Sequence, residues 1–242
     1  MRWGLPPLVL VLVALAAPSA QAELAIGRGC DSAVHGVGTP TIAWAAYSKH
    51  PLRAFTRPDG QAVERFARTN ENGVPNVFGV LGVVNGADCE PAWYRVQLPR
   101  RPNGAIGFVR TDAVVLYPVQ TRIEIDLTDR RLAFFRDGRR VLTTPVAIGA
   151  PPTPTPTGRY YVNQRLRALD PSGPFGPAAI GVSAFSPVLT HWVQGAPIAV
   201  HGTDSPASVG EAVSHGCIRV RNEVLRTLFR LTETGAPVVI RA

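Results

Sequence analysis

The chain has 242 residues, 45% of them hydrophobic and 17% charged, with a formal net charge of +8. That composition is globular and supports one or two domains with real cores. The charge rests on 24 arginines and a single lysine, Lys49, scattered as in Arg100-Arg101, Arg130-Arg131 and Arg139-Arg140. With no long basic run and no aromatic interleaving, the pattern argues against a nucleic-acid partner. Attraction to an anionic polymer such as a cell wall is the better use of the charge.

Residues 1–22 have the three-part form of a secretory signal peptide. Arg2 gives a positive start, Leu8 to Ala17 is almost unbroken apolar sequence, and Ala20-Gln21-Ala22 is a small-x-small cleavage site. A run of about ten residues is too short to span a bilayer, and no later stretch approaches the ~20 a transmembrane helix needs. The mature protein is therefore expected from near Glu23, in the periplasm or cell wall, with no transmembrane segment. Retention of the leader as an anchor is the alternative. Cys30 and Cys89 lie in Gly/Asp-rich sequence of the N-terminal half and are expected to pair in an oxidising compartment. Cys217 is then the odd thiol; its pairing with either of the other two stays open.

Period-2 patterns dominate. Val77 to Val84 reads as a strand broken by Gly79 and Gly82, Trp93 to Leu98 as another, and Ile106 to Arg110 as its return after a turn at 99–104. These predict a small β-module over about 41–117, within an N-terminal domain of residues 23–117. The W-Y-R-V…G-F-V-R pattern resembles a bacterial SH3-like module, a small β-barrel. The resemblance implies a wall-binding or positioning domain; a spacer packed on the second domain is the alternative.

Pro118 marks the boundary, and residues 118–242 form the second domain. Ile123 to Leu127 alternates, Arg131 to Arg136 makes a second strand, and Asp137-Gly138 is a hairpin signal leading into Val141 to Ile148. The proline-rich stretch Pro151 to Gly158 predicts a stiff loop, because proline removes ladder donors. Gly158 to Asn163 resumes a strand, and the glycines and prolines of Leu166 to Ala184 predict a long loop. Ile198 to His201 is a strand with His201 at its end. A helix is predicted over 223–231, capped by Asn222, with Val224, Leu225, Leu228 and Phe229 on its apolar face. Pro237 to Arg241 is the last strand.

The chemistry concentrates in two short runs, His201-Gly202-Thr203 and Ser214-His215-Gly216-Cys217-Ile218-Arg219. A lone thiol with histidines close by is a candidate nucleophile with its base. A free thiol with a pKa of about 8.5 is only slightly ionised at neutral pH, and an imidazole near 6.5 is suited to take its proton and return it to a leaving amine. Gly216 lets the backbone turn so that amide N–H groups face a bound carbonyl oxygen. His215 is expected to shape the site rather than act as the base. His201, His215 and Cys217 are also potential metal ligands, but the H-x13-H-x-C spacing matches no usual zinc pattern, so no metal is expected.

The segments I-A-V-H-G-T-D at 198–204, S-H-G-C-I-R-V-R-N at 214–222 and T-P-T-G-R-Y-Y-V at 155–162 resemble the YkuD-type L,D-transpeptidase catalytic domain. The resemblance implies a mainly β fold, a YkuD-type β-sandwich with one short helix, following the SH3-like barrel. It implies Cys217 as nucleophile, His201 as base and proton donor, and Gly202 as the residue whose backbone carbonyl orients that base. The N–H groups around His215, Gly216 and Cys217 would form the oxyanion hole, and Arg219 would lie near the substrate's carboxylate. The implied reaction uses peptidoglycan stem peptides as acyl donor and acceptor, forms 3→3 cross-links through a thioester, and needs no cofactor. Water as acceptor would make the protein an L,D-carboxypeptidase, and a protein amine a lipoprotein-anchoring enzyme. Another wall-peptide cysteine hydrolase and a catalytically silent wall-binding protein are the remaining alternatives.

Overall fold

The computed structural model describes residues 31–242; the expected leader at 1–22 and Cys30 lie outside the described residues. The first eight strands are β1 (His35–Gly36), β2 (Ala43–Ser48), β3 (Leu52–Phe55), β4 (Ala62–Phe66), β5 (Val77–Asn85), β6 (Pro91–Gln97), β7 (Ile106–Arg110) and β8 (Val114–Val119). They form one sheet in the order β4-β3-β7-β6-β5-β2-β8, with β1 on β5. Their core holds Trp44, Phe78, Tyr94, Val96, Leu98 and Val109, and the Phe66 ring meets Phe78 edge-on at 5.1 Å. The strands Val77–Asn85, Pro91–Gln97 and Ile106–Arg110 fall where alternation predicts them. Pro118 lies inside β8, opposite Trp44, on the edge of the sheet; an edge strand tolerates the missing donor. The following strand begins at Thr121.

The remaining strands are β9 (Thr121–Asp126), β10 (Arg131–Arg136), β11 (Arg139–Pro145), β12 (Ile148–Gly149), β13 (Gly158–Arg167), β14 (Ala178–Phe185), β15 (Pro197–His201), β16 (Ala212–Ser214), β17 (Ile218–Arg219) and β18 (Pro237–Arg241), with the helix α1 (Asn222–Leu231) before the last. The second large sheet runs β11-β10-β9-β18-β13-β14-β15-β17, and β12 pairs separately with β16. β13 serves two halves: Gly158 to Tyr161 pairs with β18, and Val162 to Arg167 pairs with β14 after a shift between Val162 and Gln164. The sheet therefore folds over on itself as a sandwich around Ile125, Phe134, Val162, Ile180, Val200 and Leu228. The Asp137-Gly138 turn between β10 and β11 has φ of 51° and 75°, the paired left-handed geometry a two-residue hairpin demands.

Two expectations are corrected. Leu166 to Ala184 is not one long loop: β13 continues to Arg167, β14 occupies Ala178–Phe185, and only 168–177 connects them. The sequence of β14, AAIGVSAF, carries small residues where strand signals call for branched ones. Gly181 is required there, since a Cβ would sit 2.6 Å from Gln164 Cγ on the neighbouring strand. Helix α1, in turn, starts at Asn222 after Arg221, without a side-chain cap; the Asn222 side chain is engaged elsewhere.

The two sheets meet closely. The Tyr161 ring lies over Gly79, where a Cβ would stand 3.0 Å from it, and its hydroxyl donates to Val77 O at 2.9 Å. Gln97 Nε2 donates to Arg159 O at 2.8 Å and Tyr117 Oη to Thr234 O at 3.2 Å. The glycine that interrupts the β5 pattern is thus a landing place for the second module. Cys89 is disulfide-bonded and Cys217 is free; Cys30, the partner expected for Cys89, is outside the described residues.

Candidate active site

β15 ends at His201, and β17 begins directly after Cys217. The two strands pair in parallel, Val200 opposite Ile218 and His201 opposite Arg219. Side chains alternate along a strand, so Cys217, His201 and Arg219 project from one face. With ~3.3 Å per residue and ~4.8 Å between strands, the Cα atoms of Cys217 and His201 are about 8 Å apart, close enough for thiol and imidazole to face one another. All three line a groove of about 790 Å³, together with Phe175, Trp192 and Leu166.

His201 is buried, and its Nδ1 lies 2.6 Å from Gly202 O. A carbonyl oxygen only accepts, so Nδ1 carries the proton and Nε2 keeps its lone pair. The Phe175 ring meets the imidazole edge-on at 5.0 Å. Burial, helped by the positive field of Arg219 and opposed by the Gly202 bond, pushes the His201 pKa down to about 4. The expectation that His201 titrates near 6.5 is therefore corrected. Cys217 is half-buried, with Sγ 3.8 Å from Pro197 O, and burial raises its pKa against the lowering effects of the Ala199 backbone and Arg219. At neutral pH the pair is a neutral thiol beside a neutral imidazole.

The loop before Cys217 is tightly built. Gly216 has φ of 112°, a conformation that favours glycine. Its N–H donates to Ser214 Oγ at 3.1 Å, and Ser214 Oγ donates to Cys217 O at 2.5 Å. The Gly216 N–H is thus turned into the loop, toward Ser214, which bears on its expected part in an oxyanion hole. The proline-rich segment supports the same loop: Thr153 Oγ1 donates to Ser214 O at 3.0 Å, Thr155 Oγ1 donates to Gly216 O at 2.9 Å, and Gly149 N donates to Thr155 Oγ1 at 2.8 Å. His215 is exposed, and its ring meets Trp192 edge-on at 5.3 Å.

Gly202 matters through more than its carbonyl. A Cβ there would meet Asn222 Oδ1 at 2.1 Å and Gly176 Cα at 3.0 Å. Asn222 Oδ1 accepts the N–H of Thr203 at 2.9 Å, locking the strand end that carries His201 to the first turn of α1. Asn222, Ser214, Thr153 and Thr155 were missed as site residues; each is a small polar residue near a motif, whose role depends on a partner distant in sequence. Arg219 is half-buried, and its Nε is buried without a partner in the protein. Among the described residues no group of three or more His, Cys, Asp or Glu forms a metal-binding cluster.

The family described as YkuD, L,D-transpeptidase catalytic domain, matches residues 120–240. The chain is 34% identical over 124 residues to "Putative L,D-transpeptidase YkuD" of Bacillus subtilis, covering 51% of this chain and 68% of that protein. It is 27% identical over 212 residues to "Probable L,D-transpeptidase YbiS" of Escherichia coli, covering 77% of this chain and 62% of that protein. Among solved structures, the NMR structure of the catalytic domain of an Enterococcus faecium L,D-transpeptidase matches with a TM-score of 0.37 and 26% identity, over 50% of this chain and 96% of that one. The chain thus spans about two thirds of the length of these curated relatives.

Proposed function

Since the chain belongs to the YkuD family of L,D-transpeptidase catalytic domains, we propose that it is a cysteine acyltransferase acting on peptidoglycan stem peptides. The observation that carries this reading is the shared face of the parallel β15–β17 pair, which sets Cys217, His201 and Arg219 in one groove. Arg219 presents a guanidinium with an unpartnered buried Nε, suited to a substrate carboxylate. His201 Nε2 accepts the thiol proton as Sγ attacks the carbonyl of the stem's third residue. The N–H groups of His215 and Cys217 receive the developing oxyanion, since that of Gly216 is held by Ser214. His201 then returns the proton to the departing D-amino acid, leaving a thioester on Cys217.

The amine of a second stem attacks the thioester, gives its proton to His201, and forms a 3→3 cross-link as the thiol is regenerated. The energy of the cleaved peptide bond is kept in the thioester, so no cofactor enters. Because both groups are neutral before substrate binds, proton transfer accompanies attack rather than preceding it. We place the enzyme outside the cytoplasm after removal of residues 1–22. Among the described residues no helix is long and apolar enough to cross a membrane. We also assign the Cys89 bridge to Cys30, which keeps both thiols away from Cys217.

The deciding experiment is mass spectrometry of the purified protein and its products after incubation with a disaccharide-tetrapeptide. A cross-linked dimer and a transient thioester at Cys217 are expected. A tripeptide alone would reassign the acceptor to water. No adduct and no product would overturn the reading.

A further inference from the structure

The loop 186–196, between β14 and β15, forms a wall of the Cys217 groove; Ser186 N–H donates to Ala196 O at 2.9 Å across its ends, and Gly195 N–H donates to Trp192 O at 2.9 Å within it. Three successive residues, Gln194, Gly195 and Ala196, have φ of 54°, 73° and 52°. Val188, Trp192 and Val193 are exposed at 49%, 48% and 77%, so little of the loop's apolar surface is anchored in a core. Left-handed backbone at non-glycine residues persists only where surroundings hold it. Yet the loop carries Trp192, the ring that meets His215 two residues from the thiol.

The other module adds a second hold, at both ends of the loop. Asn103, in the turn between β6 and β7, donates from Nδ2 to Phe185 O at 2.8 Å and accepts Phe185 N–H on Oδ1 at 2.9 Å. Arg101, two residues earlier, donates from Nη2 to Gly195 O at 2.8 Å and lays its guanidinium over the Phe185 ring at 5.5 Å. One turn of the first sheet thus grips both ends of the loop. Gln194 Nε2 also donates to Asn72 Oδ1 at 3.4 Å, and Asn72 itself lines the groove.

We infer that Arg101 and Asn103 are positioning residues for the catalytic groove: the N-terminal module sets the place of Trp192, and with it the groove's width, by clasping loop 186–196 at both ends. The inference gives the first sheet a part in substrate binding without requiring it to touch the wall. It rests on the transpeptidase reading only for its kinetic arm.

The test uses the full chain with Arg101→Ala, Arg101→Lys and Asn103→Ala, read by hydrogen–deuterium exchange and by kinetics. Loss of a charged donor to the Gly195 carbonyl should speed exchange in 186–196 by about ten-fold while β9, β10 and β18 keep their protection. For the tetrapeptide donor, KM should rise by about ten-fold with kcat within about three-fold, and Arg101→Lys should recover part of the loss. Unchanged exchange in 186–196 overturns the proposal. Faster exchange throughout the chain also overturns it, since Arg101 would then serve global stability. A fall in kcat at unchanged KM overturns it too. If the wild type turns over no wall peptide, the transpeptidase reading fails while the exchange arm still decides this one.

Discussion

The two modules are built from the same short twisted strands but joined by different rules. Every pair in the first sheet is antiparallel, three of the seven between neighbours in sequence. The second sheet contains two parallel pairs, β9 with β18 and β15 with β17. A parallel pair needs a crossover of a dozen or more residues, and the segment 202–217 is the one that returns the chain from β15 to β17. The candidate nucleophile ends that crossover and the candidate base begins it. The difference teaches that the candidate reactive groups meet at a parallel join, whereas the wholly antiparallel sheet supplies shape and support.

Mutations separate those roles. Cys217→Ala should abolish turnover and covalent capture of a carbapenem while leaving the thermal transition in place; an adduct on that variant would remove the thiol from the mechanism. His201→Ala should slow acylation by about 10²–10⁴-fold, the usual worth of a general base. His215→Ala should cost less, since its proposed part is a backbone N–H, and a reversed ranking in stopped-flow acylation would transfer the base to His215. In the first sheet, Phe78→Ala should cost about 3–5 kcal/mol in chemical denaturation, yet the fraction still folded should acylate at the wild-type rate. A proportional loss of rate would erase the division between the sheets.

The pH dependence sharpens the same contrast. The folded-state pKa of His201 is depressed from 6.5 to about 4, so between those values the unfolded chain binds the extra proton. Stability is undiminished above 6.5 and falls as pH drops through the window, by roughly 3 kcal/mol in all from this residue. The difference in denaturation free energy between wild type and His201→Gln, followed from pH 7 to 4, isolates that contribution. The acid limb of kcat/KM should likewise lie near pH 4; a limb at 6.5 would show an imidazole open to water. Asn222→Ala, which leaves the Thr203 N–H without its acceptor, should cost about 1–3 kcal/mol. It should lower kcat as the His201 strand end loosens, and a silent substitution would uncouple α1 from the site.

What could be read in advance follows the same line. The meeting of Cys217, His201 and Arg219 in one groove was legible because motif spacing and residue chemistry coincide, and the Asp137-Gly138 hairpin because its turn geometry is written in two residues. β14 was hidden: a strand packed against α1 and crossed closely by Gln164 needs small side chains, and small side chains look like loop. Asn222 announced itself as a cap, the commonest local use of asparagine, but its oxygen was taken by Thr203 from nineteen residues away. The depressed His201 pKa was invisible because burial is a property of the whole sheet. β2, β3 and β4 lacked sufficient alternation to be named individually.

β18 follows every other strand of its sheet in sequence, yet it lies in the interior of the order, between β9 and β13. Until it arrives, the two halves of the sandwich have no shared ladder, and Val238 and Ile240 are missing from the core. Contacts between segments more than a hundred residues apart, such as Ile123 with Val238, raise contact order and slow folding. The imidazole and thiol meet across the β15–β17 pair, in the half of the sheet that β18 joins to β9 and β10. A chain emerging as an extended thread lacks the burial that raises the Cys217 pKa, so it is the completed sheet that shields this thiol from stray chemistry.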